Sequence, residues 1–482
     1  MSNGEEKRKV DIISKISEWF PAVEKPLYKQ SFNLRLKWTG IALILYLILS
    51  YITVYGVAPA AYEQFRFFEI VLGSKFGSLM TLGIGPIVTA GIILQLLVGS
   101  KILNWDTTKP EYRKKFQSWS KSLAIIFAFV EAIAFTLSGA IQTVGGPGIL
   151  IFVIFQLALG GIIVIFLDDL VTKWGFGSGI SLFIAAGVAS QIFIRIFSPF
   201  AVTCRPLDFY SCFPSEANPP TGLIWSGFLS LSSGNFVETL VNFVPLISTA
   251  LIFIVVVYAQ HIKINIPLAF AALRGFGRTW SLKLFYTSNI PVILAAAFIA
   301  NIQLMGRAGL QPNELGLLCG ALGCYNNQGN PVSGLVYYLS APRNLLIDII
   351  TQNIVSSEIL RAITYLILLA SLATIFSVFW VKTAGMDAKS VAEQISSIGM
   401  QIPGYRRDPR IIEAVLNRYI PALAVLGGLS IGVLAAIADF TGAIGTGTGI
   451  LLTVMIVYNY YEEISAQPKE EIHPFIRKFL GD

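Results

Sequence analysis

The chain has 482 residues, 54% of them hydrophobic and 13% charged, with a formal net charge of +7. A soluble domain carries about 45–50% apolar and about 25% charged residues, so both departures point to a membrane protein. The 42 Gly, 22 Pro and 33 Phe exclude a coiled coil and a disordered tail protein, and two His with four Cys leave too little material for a multi-metal centre or a disulfide scaffold.

Residues 1–37 are mixed in charge and lack the apolar core and small-residue cleavage site of a signal peptide, so the first span is expected to stay as an anchor. Within them Val10, Ile13, Ile16 and Phe20 recur at helical spacing, with Lys9, Lys15 and Glu18 off that stripe. This predicts a short amphipathic helix that lies on the membrane interface, or packs on a partner or on the chain's own loops. A spanning helix needs about 20 mostly apolar residues. Ten runs qualify in chain order: Trp38–Tyr55, Leu79–Val98, Ser122–Gly139, Ile149–Leu167, Ile180–Phe197, Leu240–Ala259, Ile290–Met305, Ala362–Val381, Ile420–Ile437 and Ile444–Tyr458. The expected fold class is all-α, a polytopic membrane protein with ten transmembrane helices.

With the N-terminus placed inside, 28 of the 35 Lys and Arg fall on the cytoplasmic side and 7 outside. This bias predicts that both termini are cytoplasmic, and it accounts for the net charge without a nucleic-acid-binding domain. Cys204 and Cys212 then share one outer loop, and Cys319 and Cys324 share another. Each pair lies where a disulfide persists; four free thiols are the alternative. The second spacing also suits a metal, but no His or further Cys lies nearby.

No catalytic constellation is legible. His261 and His473 are far apart, no Gly-Lys dipeptide is available for a phosphate-cradling loop, and Gly175-Phe-Gly-Ser-Gly179 has the wrong order for a nucleophile elbow. No cofactor is expected. Intramembrane charge is limited to Glu131, with Asp168 and Asp169 ending the fourth span and Asp439 just beyond the ninth. An ion-coupled pump needs more buried ionisable groups than this. Glu131 has three readings: a polar lining, a structural hydrogen bond or a proton relay.

Two interruptions recur at matching places. Gly83, Gly85 and Pro86 break the start of the second span, and Asn289-Ile-Pro291 lies at the start of the seventh. Such breaks at corresponding positions of two five-span halves suggest an inverted repeat with a pathway between the halves. A harmless kink is the alternative for each Pro alone. A further Gly-rich stretch, Gly442, Gly445, Gly447 and Gly449, opens the tenth span and admits a close neighbour.

These segments together resemble the SecY family, the main subunit of the protein-conducting channel. Leu82-Gly-Ile-Gly-Pro-Ile-Val-Thr-Ala-Gly91 is similar to its second-helix signature, and Trp174-Gly-Phe-Gly-Ser-Gly-Ile-Ser181 to the one entering its fifth. Asn289-Ile-Pro-Val-Ile-Leu294 and Gly445-Thr-Gly-Thr-Gly-Ile-Leu-Leu-Thr453 are similar to its seventh and tenth. The wording is closer to the archaeal and eukaryotic branch.

The resemblance implies an hourglass channel between two inverted pseudo-symmetric halves, residues 38–197 with spans one to five and 240–461 with spans six to ten. The cytoplasmic segment 1–37, the outer loop 198–239 and the tail 462–482 flank them. It also implies a waist ring of Ile84, Val88, Ile180, Ile184, Ile293 and Leu452. The i, i+4 spacing of Ile84/Val88 and of Ile180/Ile184 puts each pair on one helix face, and all six are apolar, as a dewetting constriction requires. The implied plug is the short segment before the second-span break, made of Arg66, Phe67, Phe68, Glu69, Ile70, Val71, Leu72, Gly73, Ser74, Lys75 and Phe76. The implied lateral gate carries Thr89, Glu131 and Asn301, with Glu131 where many members have an amide.

In the family two cytoplasmic loops bind the ribosome. Here they are residues 260–289, with Lys263, Arg274, Arg278 and Lys283, and residues 382–418, with Arg406 and Arg407. Flexible basic loops suit RNA phosphate; simple positive-inside topology is the alternative. The resemblance further implies SecE-type and Secβ-type small membrane subunits, and signal sequences and nascent polypeptides as cargo, released into membrane lipid or across the cell membrane. Two other classes are weighed against this. An ion-coupled solute transporter would need a midplane ionisable site, and an intramembrane enzyme would need a nucleophile–base pair.

Overall fold

The structure is a computed structural model. It describes residues 23–28, 30–57, 77–100, 102–103, 105, 110–137, 141, 143–201, 213–214, 219–270, 277–306, 311–313, 317–326, 330–342, 345–352, 354–401 and 408–465. The expected helix at 9–20, the plug at 66–76, Cys204, Cys212, Arg274, Arg406 and Arg407 all lie outside these residues, as does the tail beyond residue 465.

Helices form where all ten spans are expected. The first five are α1 (Phe32–Tyr51), α2 (Gly85–Gly99), α3 (Pro110–Leu137), α4 (Pro147–Trp174) and α5 (Gly179–Phe197). After a short α6 (Leu223–Ser232) come α7 (Phe236–His261), strands β1 (Lys263–Phe270) and β2 (Gly277–Lys283), and α8 (Ile290–Met305). Strands β3 (Gln311–Pro312), β4 (Leu318–Gly320), β5 (Gly323–Tyr325) and β6 (Pro331–Gly334) follow, then the short helices α9 (Leu335–Tyr338) and α10 (Leu345–Ile350). The chain ends through α11 (Ser356–Thr383), α12 (Ala388–Ser397), β7 (Met400–Gln401), α13 (Pro409–Phe440) and α14 (Gly447–Ser465).

Several boundaries differ from the hydropathy reading, for identifiable reasons. Helix α3 starts twelve residues early and reaches 28 residues. At 1.5 Å per residue it is about 42 Å long, so its first turns carry Lys114 and Lys115 beyond a hydrocarbon core of about 30 Å. Helix α13 likewise reaches 32 residues. In contrast α2 and α8 have only 15 and 16 residues, about 23 Å each. The turns at residues 79–84 precede α2, with Gly83 at φ +50°. That non-helical backbone is covered: Met80, Leu82 and Ile84 are fully buried, and Gly160 of α4 lies so close that a Cβ there would meet the Leu79 carbonyl oxygen at 1.8 Å. Pro291 does not interrupt α8. It sits in the first turn, where a missing N–H costs nothing, after Ser288 turns the chain at φ +57°. Pro86 holds the matching place in α2.

Seven of the ten long helices are apolar and long enough to cross a membrane. The exceptions are α2, α8 and α14. Helix α14 ends on Tyr461, Glu462 and Glu463, and its residues from Gly447 to Leu452 are all buried. These three need not satisfy lipid because they are enclosed by the others.

The packing repeats between halves. In the first, α2 packs on α3 and α4, α3 on α4, α4 on α5, and α1 on both α4 and α5. In the second, α8 packs on α11 and α13, α11 on α13, α13 on α14, and α7 on both α13 and α14. Substituting α7, α8, α11, α13 and α14 for α1 to α5 maps one set onto the other. The halves meet along two seams, α2 against α8 and α11 on one side, and α5 against α14 on the other.

The segments expected to be flexible docking loops are largely ordered. Strand β1 pairs antiparallel with β2 in a register that sets Lys263 opposite Lys283, and its far end pairs with β7. Ile266, Leu268 and Leu282 turn inward onto Val391 and Ile395 of α12 in one apolar cluster. A second sheet, β3-β4-β5-β6, sets Cys319 opposite Cys324, and the two form a disulfide.

Candidate functional site

The six apolar residues proposed for the ring come from four helix starts. Ile84 caps α2 and Val88 lies one turn in; Ile180 and Ile184 open α5; Ile293 opens α8; Leu452 follows the start of α14. Ile84, Val88, Ile184, Ile293 and Leu452 belong to one buried apolar cluster, and the half-buried Ile180 packs against it. Two of the four helices belong to each half. A cavity of about 720 Å³ reaches Ile180 and Ile87 from the face that carries Lys25, Arg35 and Asp168.

Two aspartates fix the heights of ring-bearing helices. Asp168, near the end of α4, accepts a hydrogen bond from the backbone N–H of Ile180 at 2.9 Å. Asp439, at the end of α13, accepts one from the N–H of Gly447 at 2.8 Å. Each carboxylate thus satisfies an orphan donor at the start of the next helix and meets its positive dipole end. Glycine is required at both contacts. A Cβ on Gly179 would come within 2.6 Å of Asp168 Cα, and one on Gly447 within 2.0 Å of the Ala438 carbonyl carbon. The third helix of each half adds a tether: Lys121 of α3 pairs with Asp169, and Tyr365 of α11 donates to Asp439 Oδ2 at 2.9 Å. The residues are visible in the sequence as charges at span ends, but not the capping. The signal that could have found it is an Asp just before a Gly-rich opening, repeated in the two halves.

The three polar residues aligned with the gate are in direct contact. Asn301 Nδ2 of α8 donates to Thr89 Oγ1 of α2 at 3.3 Å, and Thr89 Oγ1 donates to Glu131 Oε1 of α3 at 2.7 Å. Glu131 is 7% exposed. Of its three readings, a hydrogen-bonded side chain is the one with a partner on the page. At the opposite seam Tyr460 Oη donates to the Ser178 carbonyl at 3.0 Å, and Arg35 pairs with Glu463 at 3.2 Å while donating to the Gly175 carbonyl at 3.0 Å.

Of the basic docking residues, Lys263 is exposed. Lys283 is half-buried, ion-paired to Glu462 of α14 and placed 5.8 Å from the Tyr458 ring centre. Arg278 lies on β2. Among the described residues no group of three or more His, Cys, Asp or Glu is arranged to hold a metal ion.

The comparisons bear on this geometry. The SecY family model matches residues 78–461. The chain belongs to the SecY family. A protein translocase subunit SecY of Methanococcus vannielii is 42% identical over 97% of this chain and 99% of its own length. A solved structure described as a protein-conducting channel superposes with a TM-score of 0.79 at 43% identity, covering 96% of this chain and 99% of that one. Sec61 in the canine ribosome–channel complex from the endoplasmic reticulum gives a TM-score of 0.76 at 43% identity, with 96% and 99% covered. The family accounts for the ten-helix, two-half channel architecture; the chain is a multi-pass membrane protein and a non-enzymatic channel subunit.

Proposed function

We propose that the chain is the passive pore of a protein translocase, which passes unfolded secretory polypeptides between its halves and releases transmembrane helices sideways into lipid. The observation that carries this reading is the single buried apolar cluster to which two helices of each half contribute. An aliphatic waist excludes hydrated ions by dewetting, yet offers no fixed polar contact to a sliding chain. Residues 38–197 and 240–461 are the two halves. Segment 66–76 is the plug. The Asn301–Thr89–Glu131 chain is the closed gate, and the α5–α14 seam is the hinge. Strands β1 and β2 and the segment around Arg406 and Arg407 face the cytoplasm with both termini, where the ribosome docks and supplies the work. SecE-type and Secβ-type subunits complete the complex, and a signal sequence opens the gate by entering between α2 and α8. The likeness to a ribosome-bound Sec61 supports the docking part.

The test is photocrosslinking from residue 84 or 184 to a stalled ribosome–nascent chain. Strong adducts at both positions, lost when the same probe sits on the lipid-facing Ile44, support the pore. Absence of adducts, with proton- or sodium-dependent solute uptake by purified protein, would support a transporter instead.

A further inference from the structure

A second cavity of about 510 Å³ lies away from the ring, between the β1–β2 hairpin, α12, the end of α14 and the turn after α11. Its remaining wall comes from the other half, through Arg113 in the first turn of α3. The position of Arg113 is built rather than incidental. Gly385 opposes it at φ +68°, and a Cβ there would come within 2.6 Å of Arg113 Nη2.

The lining is rich in donors whose acceptors are missing from the protein. Arg113 Nε is buried and has no hydrogen-bond partner. Gln260 is 4% exposed, and its Nε2 likewise has none. Lys283 adds a second cation at the wall, already paired with Glu462. No Asp or Glu is among the residues that line the cavity. A buried guanidinium nitrogen and a buried amide left unpaired are costly, and the group that satisfies both is an acceptor-only anion of several oxygens.

We infer that this cavity binds a phosphate group, taken up either as free inorganic phosphate or as the headgroup phosphate of an anionic membrane lipid. The guanidinium of Arg113 grips it from the first half, and Gln260, with Lys283 nearby, from the second. A bound phosphate therefore bridges the halves and favours the arrangement in which they are together.

The experiment uses the full chain in phosphatidylcholine nanodiscs. One arm measures retention of radiolabelled inorganic phosphate at constant ionic strength. The other adds phosphatidylglycerol and counts retained anionic lipid by native mass spectrometry. Wild type retains one phosphate or one anionic lipid, and R113Q loses about tenfold or more in affinity, as removal of a charge-assisted hydrogen bond requires. Q394E guards against a folding artefact: Gln394 is an exposed residue on the cavity wall, so the added carboxylate repels the anion without touching the core. Retention in the first arm alone assigns free phosphate, and retention in the second assigns the lipid. Equal retention by wild type, R113Q and Q394E, or none in either arm, overturns the site.

Discussion

Thr89 Oγ1 accepts from Asn301 at 3.3 Å and donates to Glu131 at 2.7 Å, so one hydroxyl closes the seam between the halves and ties α2 to α3 within its own half. Hydrogen bonds between membrane helices average about 0.6 kcal/mol and reach about 1.7. Removing the hydroxyl in Thr89→Val should therefore raise the fraction of open gates about 3- to 20-fold, while Thr89→Ser leaves it unchanged. Resting open time in planar bilayers, together with export of precursors carrying weakened signal sequences, checks this. Glu131→Gln keeps an acceptor for Thr89 and should behave like wild type; Glu131→Leu should not.

The ring makes its own prediction. Ile184 is fully buried and Val88 is 6% exposed. Replacing either by Ser or Gly places a wettable gap in the apolar waist and should raise resting chloride conductance several-fold, whereas Ile184→Leu keeps the seal. Unchanged current through the Ser variants would remove those residues from the constriction.

The paired caps should show up as stability. Asp439→Ala orphans the Gly447 N–H and the Tyr365 hydroxyl, at about 1–3 kcal/mol per unsatisfied group, and should lower the thermal midpoint of the detergent-purified protein. Asp439→Asn retains an acceptor and should lose less. Gly447→Ala should be worse than either, since its Cβ would sit 2.0 Å from a backbone carbon; fluorescence-monitored melting orders the three.

Lys283 is held by Glu462, so the two predicted docking lysines should not behave alike. Lys263→Glu should weaken ribosome binding and lower the slope of log affinity against log salt by about one unit. Lys283→Ala should change little. Glu462→Gln frees Lys283 and should tighten binding, measured by co-sedimentation over a salt series.

What was legible in the chain is what local chemistry dictates. Gly83, Gly85 and Pro86 cannot begin a regular helix, so the break before α2 was readable, and Thr89, Glu131 and Asn301 were readable through their motifs. Hydropathy sees only lipid-matched stretches, so it missed the polar first turns of α3 and α13. It also concealed β1, although Ile264, Ile266 and Leu268 alternate with Lys263, Asn265 and Pro267 in the period-two pattern of a strand. The Asp168 and Asp439 caps depend on where the neighbouring helix returns, which no local window contains.

Because β1 pairs with both β2 and β7, the two connections that protrude on that face are one rigid handle rather than two independent tethers. The handle is rooted directly in the helices that border it, with β1 two residues beyond α7 and β7 eight residues ahead of α13. A partner that grips it cannot shift one connection without the other. Torque applied there is passed to the second half of the molecule as a whole, which makes the sheet a crank and not merely an anchor.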